Sequence, residues 1–383
     1  MSVTAAKGFR AAGVAAGLKP SGKPDVALIV NDGPSSAAAA VFTANRCKAN
    51  PVLWSEEAIK GGTARALVAN SGGANCYTGA EGFANTHTTA ETVAELLGIG
   101  PVDVQVCSTG LIGLLNDRDA LLSGATKAVG ALNLDGGAAA AEAIMTTDTI
   151  PKQATATVDG CTVGGMAKGA GMLAPSLATM LVFLTTDADV DAPTCDRALR
   201  AATARTFDRI DSDGCMSTND QVLLMASGAT EVTPGESDFA AVVHTVCADL
   251  ARQLVADAEG AEHDIAIRVV GAAAESEALD VARAIARSNL FKCAIYGRDP
   301  NWGRVLAQIG TTQATFDPAD LDVALNGVWL CRHSGPAESP ETVDLSARQV
   351  DVLVDLKSGP HEATIWTNDL THAYVHANSA YST

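Results

Sequence analysis

The sequence predicts an α+β protein built from layers of sheet and helix, and three observations carry that expectation. Short apolar runs bounded by Gly, Pro, Asn and Asp recur along the chain, and Ala-rich stretches with helical spacing lie between them. Neighbouring strands often follow one another directly, whereas a doubly wound parallel sheet would demand strict alternation with helices. The 383 residues, 47% hydrophobic and 18% charged, supply enough apolar material for a large core.

Taken in order, 26–30, 37–43, 51–54 and 64–70 read as strands, 88–97 as a helix and 104–108 as a strand. Helices are expected at 116–129 and 137–145, and strands at 155–158, 161–166 and 180–185 frame a glycine-rich centre. Beyond it, 192–206, 239–258 and 276–287 carry helical spacing, while 221–226, 264–270 and 291–296 read as strands. The tail is strand-rich at 323–330, 350–356 and 362–367, and is expected to stay extended through His372 and His376. No low-complexity linker, charge block or internal repeat divides the chain.

The 44 acidic and 26 basic side chains give a net charge of −18, which argues against nucleic acid or an anionic membrane as a partner. A small molecule is the better expectation. Nine cysteines occur singly, with no Cys-x-x-Cys pair, and point to free thiols in a reducing compartment. The N-terminus lacks a long apolar region and no run of about 18 apolar residues follows, so the cytosol is the expected location. His372 and His376 have the spacing of a helical metal pair, but an extended tail would not align them, and no metal site is expected. The polar segments 211–220 and 299–304 read as structural or pocket-supporting loops, the first lacking the ligand spacing of a calcium loop.

The centre carries the chemistry. Lys168-Gly-Ala-Gly-Met-Leu-Ala-Pro175 runs through Ser176-Leu-Ala into a strand headed by Thr179. Threonine commonly starts strands for packing alone. Were the bond between Ala178 and Thr179 cut, however, Thr179 would hold both a hydroxyl and an α-amine of pKa roughly 7.7–8.0, a nucleophile and a base in one residue. Gly169 to Ala174 matches the Gly-x-Gly-x-x-Ala dinucleotide fingerprint, but Pro175 and the strand beyond it are the wrong context. There is no phosphate-binding Gly-Lys-Ser/Thr loop and no Gly-x-Ser-x-Gly elbow.

Several blocks, in order, make the chain resemble the ornithine acetyltransferase family. They include Cys107-Ser-Thr-Gly-Leu-Ile-Gly113, Met145-Thr-Thr-Asp-Thr149, Gly164-Gly-Met-Ala-Lys-Gly-Ala-Gly-Met-Leu-Ala-Pro175, Ala178-Thr-Met-Leu181, Asp211-Ser-Asp-Gly-Cys-Met-Ser-Thr-Asn-Asp220, Asp257-Ala-Glu-Gly260, Asp299-Pro-Asn-Trp-Gly-Arg304 and Asn378-Ser-Ala-Tyr-Ser-Thr383. The resemblance implies a layered α-β-β-α sandwich of two intertwined chains, residues 1–178 and 179–383, made by self-cleavage between Ala178 and Thr179. It implies acetyl transfer from N-acetylornithine to glutamate through acetyl-Thr179 in a ping-pong cycle without a cofactor. Acetyl-CoA stays open as a second donor.

Thr109 and Gly110 are the implied oxyanion hole; Thr146, Lys168, Thr179, Glu259, Asn378 and Thr383 are the implied substrate-binding residues. Thr147 and Thr149 stay open as alternatives to Thr146. The family suggests two copies of each fragment, a heterotetramer. Two rivals are carried alongside: an aminopeptidase or amidase with the same N-terminal nucleophile, and a non-catalytic binding protein for an acidic or zwitterionic metabolite.

Overall fold

The strand Leu181–Thr186 shows how the sequence builds the core, because its alternate residues enter two different apolar clusters. Leu181 and Phe183 pack toward one sheet, whereas Val182 and Leu184 pack toward helices on the opposite face. The computed structural model describes residues 2–174 and 180–380. Ala178, Thr179 and Thr383 therefore lie outside the described residues.

Three sheets are present among the described residues. The first has four strands in the order Phe9–Val14, Val26–Asn31, Ala66–Gly73, Val104–Leu111; the second has five, Ala38–Phe42, Gln221–Ala226, Leu181–Thr186, Cys161–Lys168, Lys152–Val158. Between these two sheets lies an apolar layer that includes Phe9, Ile29, Leu67, Met166, Phe183 and Leu223. Helices Gly79–Leu97 and Arg118–Ala131 cover the outer face of the first sheet, and Ala192–Thr203 with Glu236–Ala256 cover that of the second. The result is an α-β-β-α sandwich. A third, six-stranded sheet, with helices Glu275–Ala286, Asn289–Tyr296 and Trp302–Ile309 against it, encloses its own core.

The second sheet draws strands from both sides of position 178, and Leu181–Thr186 pairs antiparallel with Cys161–Lys168 and parallel with Gln221–Ala226. The helix Glu236–Ala256, with a mean hydropathy of 1.3, is the one described helix long and apolar enough to cross a membrane. It places Phe239, Val243, Cys247, Leu250 and Leu254 fully in the core of the second sheet. All nine cysteines are free.

Four sequence expectations are corrected. Residues 51–54 belong to the helix Asn50–Ala58, whose start has Pro51 in the first turn, where its missing N–H costs nothing. Residues 291–296 lie in the helix Asn289–Tyr296, capped by the Ser288 hydroxyl, which accepts from Phe291 N–H at 3.3 Å. The run 323–330 is a hairpin, Asp322–Leu325 and Val328–Arg332, turning on Asn326 and Gly327 at φ 45° and 82°. Finally, the tail forms the helix His372–Ala380, started by Thr371, whose hydroxyl accepts from Tyr374 N–H at 3.0 Å. His372 and His376 thus do share a helix face. The single described cluster of three candidate metal ligands is elsewhere, at Asp320, Asp322 and His333. There the Lys357 ammonium already bonds Asp320 at 2.6 Å and Asp322 at 2.8 Å, taking the place a cation would need.

Candidate active site

Strand ends from both halves of the sandwich meet at a hollow of about 690 Å³. Six of the residues singled out from the sequence line it: Thr109, Gly110, Thr146, Lys168, Glu259 and Asn378. Thr147 also lines it, whereas Thr149 turns away and bonds the Asp257 carboxylate through its hydroxyl and, at 3.0 Å, its N–H.

Thr109 and Gly110 end the strand Val104–Leu111, in parallel register with Ser71 and Gly72. Gly110 has φ +125°, and a Cβ there would lie 2.4 Å from the Gly72 carbonyl oxygen. Only glycine fits a backbone that turns this sharply so close to its neighbour. Lys168 ends the antiparallel strand Cys161–Lys168, directly opposite Leu181. Its side chain is 2% exposed, and its Nζ donates to Thr109 Oγ1 at 3.3 Å. Burial pushes the Lys168 ammonium below the usual lysine range; the Asp148 carboxylate opposes that push and the Lys152 ammonium adds to it.

Asp148 ties the walls together, and sequence reasoning gave it no role. Its Oδ1 accepts from Gly169 N–H and from Lys152 Nζ, both at 2.7 Å, and its Oδ2 from Thr146 N–H at 3.0 Å. Lys152, fully buried, bonds Asp257 at 2.6 Å as well. Burial alone would raise the Asp148 carboxyl, but the Lys168 and Lys152 ammonium groups outweigh it and hold it at about 2. The position of Asp148, two residues after Thr146 in Thr-Thr-Asp-Thr, was the available signal.

Glu259 follows the helix Glu236–Ala256, and its N–H donates to the Ala170 carbonyl at 2.9 Å. Its Oε2 accepts from Asn378 Nδ2 at 3.0 Å. Gly260, at φ +64°, lets the C-terminal helix dock here: a Cβ would lie 2.3 Å from Tyr374 N. Thr371 Oγ1 donates to the Gly260 carbonyl at 2.6 Å and fastens the helix start. Residues 19–21 form a further wall that the sequence did not announce. The loop leading to it is pinned by Asp25, whose carboxylate collects the N–H groups of residues 16–19.

The arrangement offers a hydroxyl and a glycine N–H beside a buried ammonium, with a carboxylate across the hollow, a donor set suited to a developing oxyanion and a zwitterionic amino acid. The profile of the ArgJ family matches residues 10–383. Over 382 residues the chain is 62% identical to the arginine biosynthesis bifunctional protein ArgJ of Streptomyces avermitilis, with 100% of both chains covered. This chain belongs to the ArgJ family. A solved ArgJ chain from Bacillus halodurans is 39% identical with a TM-score of 0.50, covering 98% of that chain and 52% of this one. An ornithine acetyltransferase of Mycobacterium tuberculosis, solved with ornithine, is 56% identical with a TM-score of 0.45, covering 95% of that chain and 46% of this one.

Proposed function

We propose that the hollow is the active centre of a glutamate N-acetyltransferase that takes acetyl from N-acetylornithine and carries it on Thr179, after the chain has cut itself between Ala178 and Thr179. The family makes the chain an acetyltransferase of arginine biosynthesis. Its relatives are called bifunctional, and we read the second activity as transfer from acetyl-CoA to glutamate.

In this reading the Thr179 hydroxyl attacks the Ala178 carbonyl, water opens the resulting ester, and the new α-amine serves as base for the same hydroxyl. The hydroxyl next attacks the acetyl carbonyl of N-acetylornithine, ornithine leaves, and the amine of glutamate takes the acetyl group. The observation that carries the proposal is the Lys168 Nζ to Thr109 Oγ1 contact of 3.3 Å beside Gly110. Because the Thr109 oxygen accepts from an ammonium, its own hydrogen is free and strengthened as a donor to the tetrahedral oxyanion, with the Gly110 N–H as partner. Thr146 and Lys168 suit the substrate carboxylate, and Glu259 with Asn378 suits the δ-amine of ornithine. Thr383 would complete that end of the site.

Two further features support the division into 1–178 and 179–383. The second sheet interleaves strands from both fragments, so they would stay together after cleavage. The Bacillus halodurans chain, matched over nearly its whole length, spans 52% of this one, the size of one fragment rather than of the whole. We expect the mature enzyme in the cytosol as two copies of each fragment. Incubation with N-acetylornithine and glutamate tests the chemistry: N-acetylglutamate is the expected product. Free acetate in its place would make the enzyme an amidase, and an unchanged donor would leave only a binding protein.

A further inference from the structure

Asp220 is a fully buried carboxylate beside the strand Leu181–Thr186, and the proposed chemistry assigns nothing to it. It is 0% exposed and stands immediately before the strand Gln221–Ala226. Its Oδ1 accepts from Met180 N–H at 3.1 Å, and Gln221 N–H donates to the Met180 carbonyl at 3.3 Å. Both backbone groups of Met180 are thus held by residues 220 and 221. Asp220 Oδ2 has no hydrogen-bond partner among the described residues. The nearby Ser217 and Thr43 hydroxyls favour its charged form. Burial pushes the carboxyl well above the usual range, with the Met180 N–H, the Ser217 hydroxyl and the Lys168 ammonium pulling the other way. An unsatisfied oxygen at full burial is costly in a structural carboxyl and suggests a partner that arrives later.

The chain itself supplies one. Met180 N belongs to the peptide unit that follows residue 179, and covalent bonding puts the nitrogen of residue 179 only three bonds further back along the chain, which bounds their separation at under about 4 Å. Resting on the function proposed above, we propose that Asp220 is a positioning residue for the nucleophile: Oδ1 anchors the peptide after Thr179, and Oδ2 accepts a hydrogen bond from the α-amino group that cleavage sets free. Before cleavage the carboxyl keeps its proton. Once the amine exists, that proton moves to it and a hydrogen-bonded carboxylate and ammonium result. Loss of one ammonium proton to solvent then leaves an N–H on Oδ2 and turns the lone pair toward the Thr179 hydroxyl.

Asp220→Asn tests this, because an asparagine oxygen can still accept from Met180 N–H while its NH₂ cannot accept from the amine. Activity is expressed per cleaved chain, counted by intact mass. The expected result is a kcat lower by about 10- to 100-fold at a KM for N-acetylornithine within about twofold of the original. The acid limb of kcat should also move to lower pH, because the anion that favoured the ammonium form is gone. An unchanged kcat per cleaved chain with an unmoved acid limb overturns the proposal. Should Asp220→Asn fail to fold, a crystal structure of the mature unaltered protein decides: Oδ2 within about 3.2 Å of the Thr179 nitrogen supports it, and a longer separation overturns it. Unaltered protein that is active without being cleaved would sink the Thr179 mechanism itself, whereas cleaved protein indifferent to Asp220→Asn sinks only the role of Asp220.

Discussion

Two buried lysines stand at the same end of one hairpin and are treated in opposite ways. Lys152 pairs in register with Ala167, the neighbour of Lys168. Lys152 is saturated by charge, with Asp148 at 2.7 Å and Asp257 at 2.6 Å. Lys168 is equally hidden, yet its one hydrogen-bonded partner among the described residues is the Thr109 hydroxyl, at 3.3 Å. A buried ammonium costs several kcal/mol unless its donors are met, so the fold keeps such a cation fully paired where it only holds walls together. Donor capacity left over at the edge of a cavity is open to a ligand, the role proposed above for Lys168.

The largest effect that separates the two is expected at Lys152. Lys152→Met would strand two buried carboxylates and lower stability by about 3–5 kcal/mol, measured by denaturant unfolding, while activity per folded chain falls little. Lys168→Met should do the reverse. Acetyl transfer per cleaved chain should drop about 100- to 1000-fold, as for loss of an oxyanion-hole donor, with a stability loss smaller than that of Lys152→Met because Lys152 still pairs with Asp148. If both substitutions act mainly on stability, the contrast between a structural and a functional lysine is wrong.

Acid titration sharpens the same contrast from the carboxylate side. The folded-state value of Asp148, about 2, lies below the ordinary 3.8. Its stabilising contribution is therefore full above about pH 4 and is lost as the pH falls through about 2, an amount of roughly 2 kcal/mol. Unfolding of the unaltered protein and Asp148→Asn, compared between pH 5 and pH 2, should show the advantage of Asp148 shrinking by that amount. The smallest effect is expected at the cavity rim, where Glu259→Gln should raise the KM for N-acetylornithine about tenfold and leave kcat nearly unchanged, the mark of lost ground-state binding.

Much of the sandwich was legible because strands buried on both faces read as short apolar runs, as in 221–226, where Val222 and Leu224 enter one core and Leu223 and Met225 another. Two of the failures came where a local cap outweighed composition. Phe291 to Tyr296 looks like a strand, but Ser288 starts a helix that buries Phe291, Lys292, Ala294 and Ile295 on one face. Thr371 does the same for the tail, and this brings Asn378 to Glu259. Resemblance delivered six of the residues that line the hollow. It gave no role to Asp148 and Asp220, whose bonds to Gly169 and Met180 span 21 and 40 positions, a pairing that no local spacing announces.

Everything turns on whether position 179 begins a chain. Intact mass spectrometry of the freshly purified, active protein under denaturing conditions is the direct measurement. Two fragments that meet between Ala178 and Thr179, the second opening with an unblocked threonine, are predicted, together with a single inactive 39.0 kDa chain for Thr179→Ala. Full acetyl-transfer activity from one unbroken 39.0 kDa polypeptide would contradict the account.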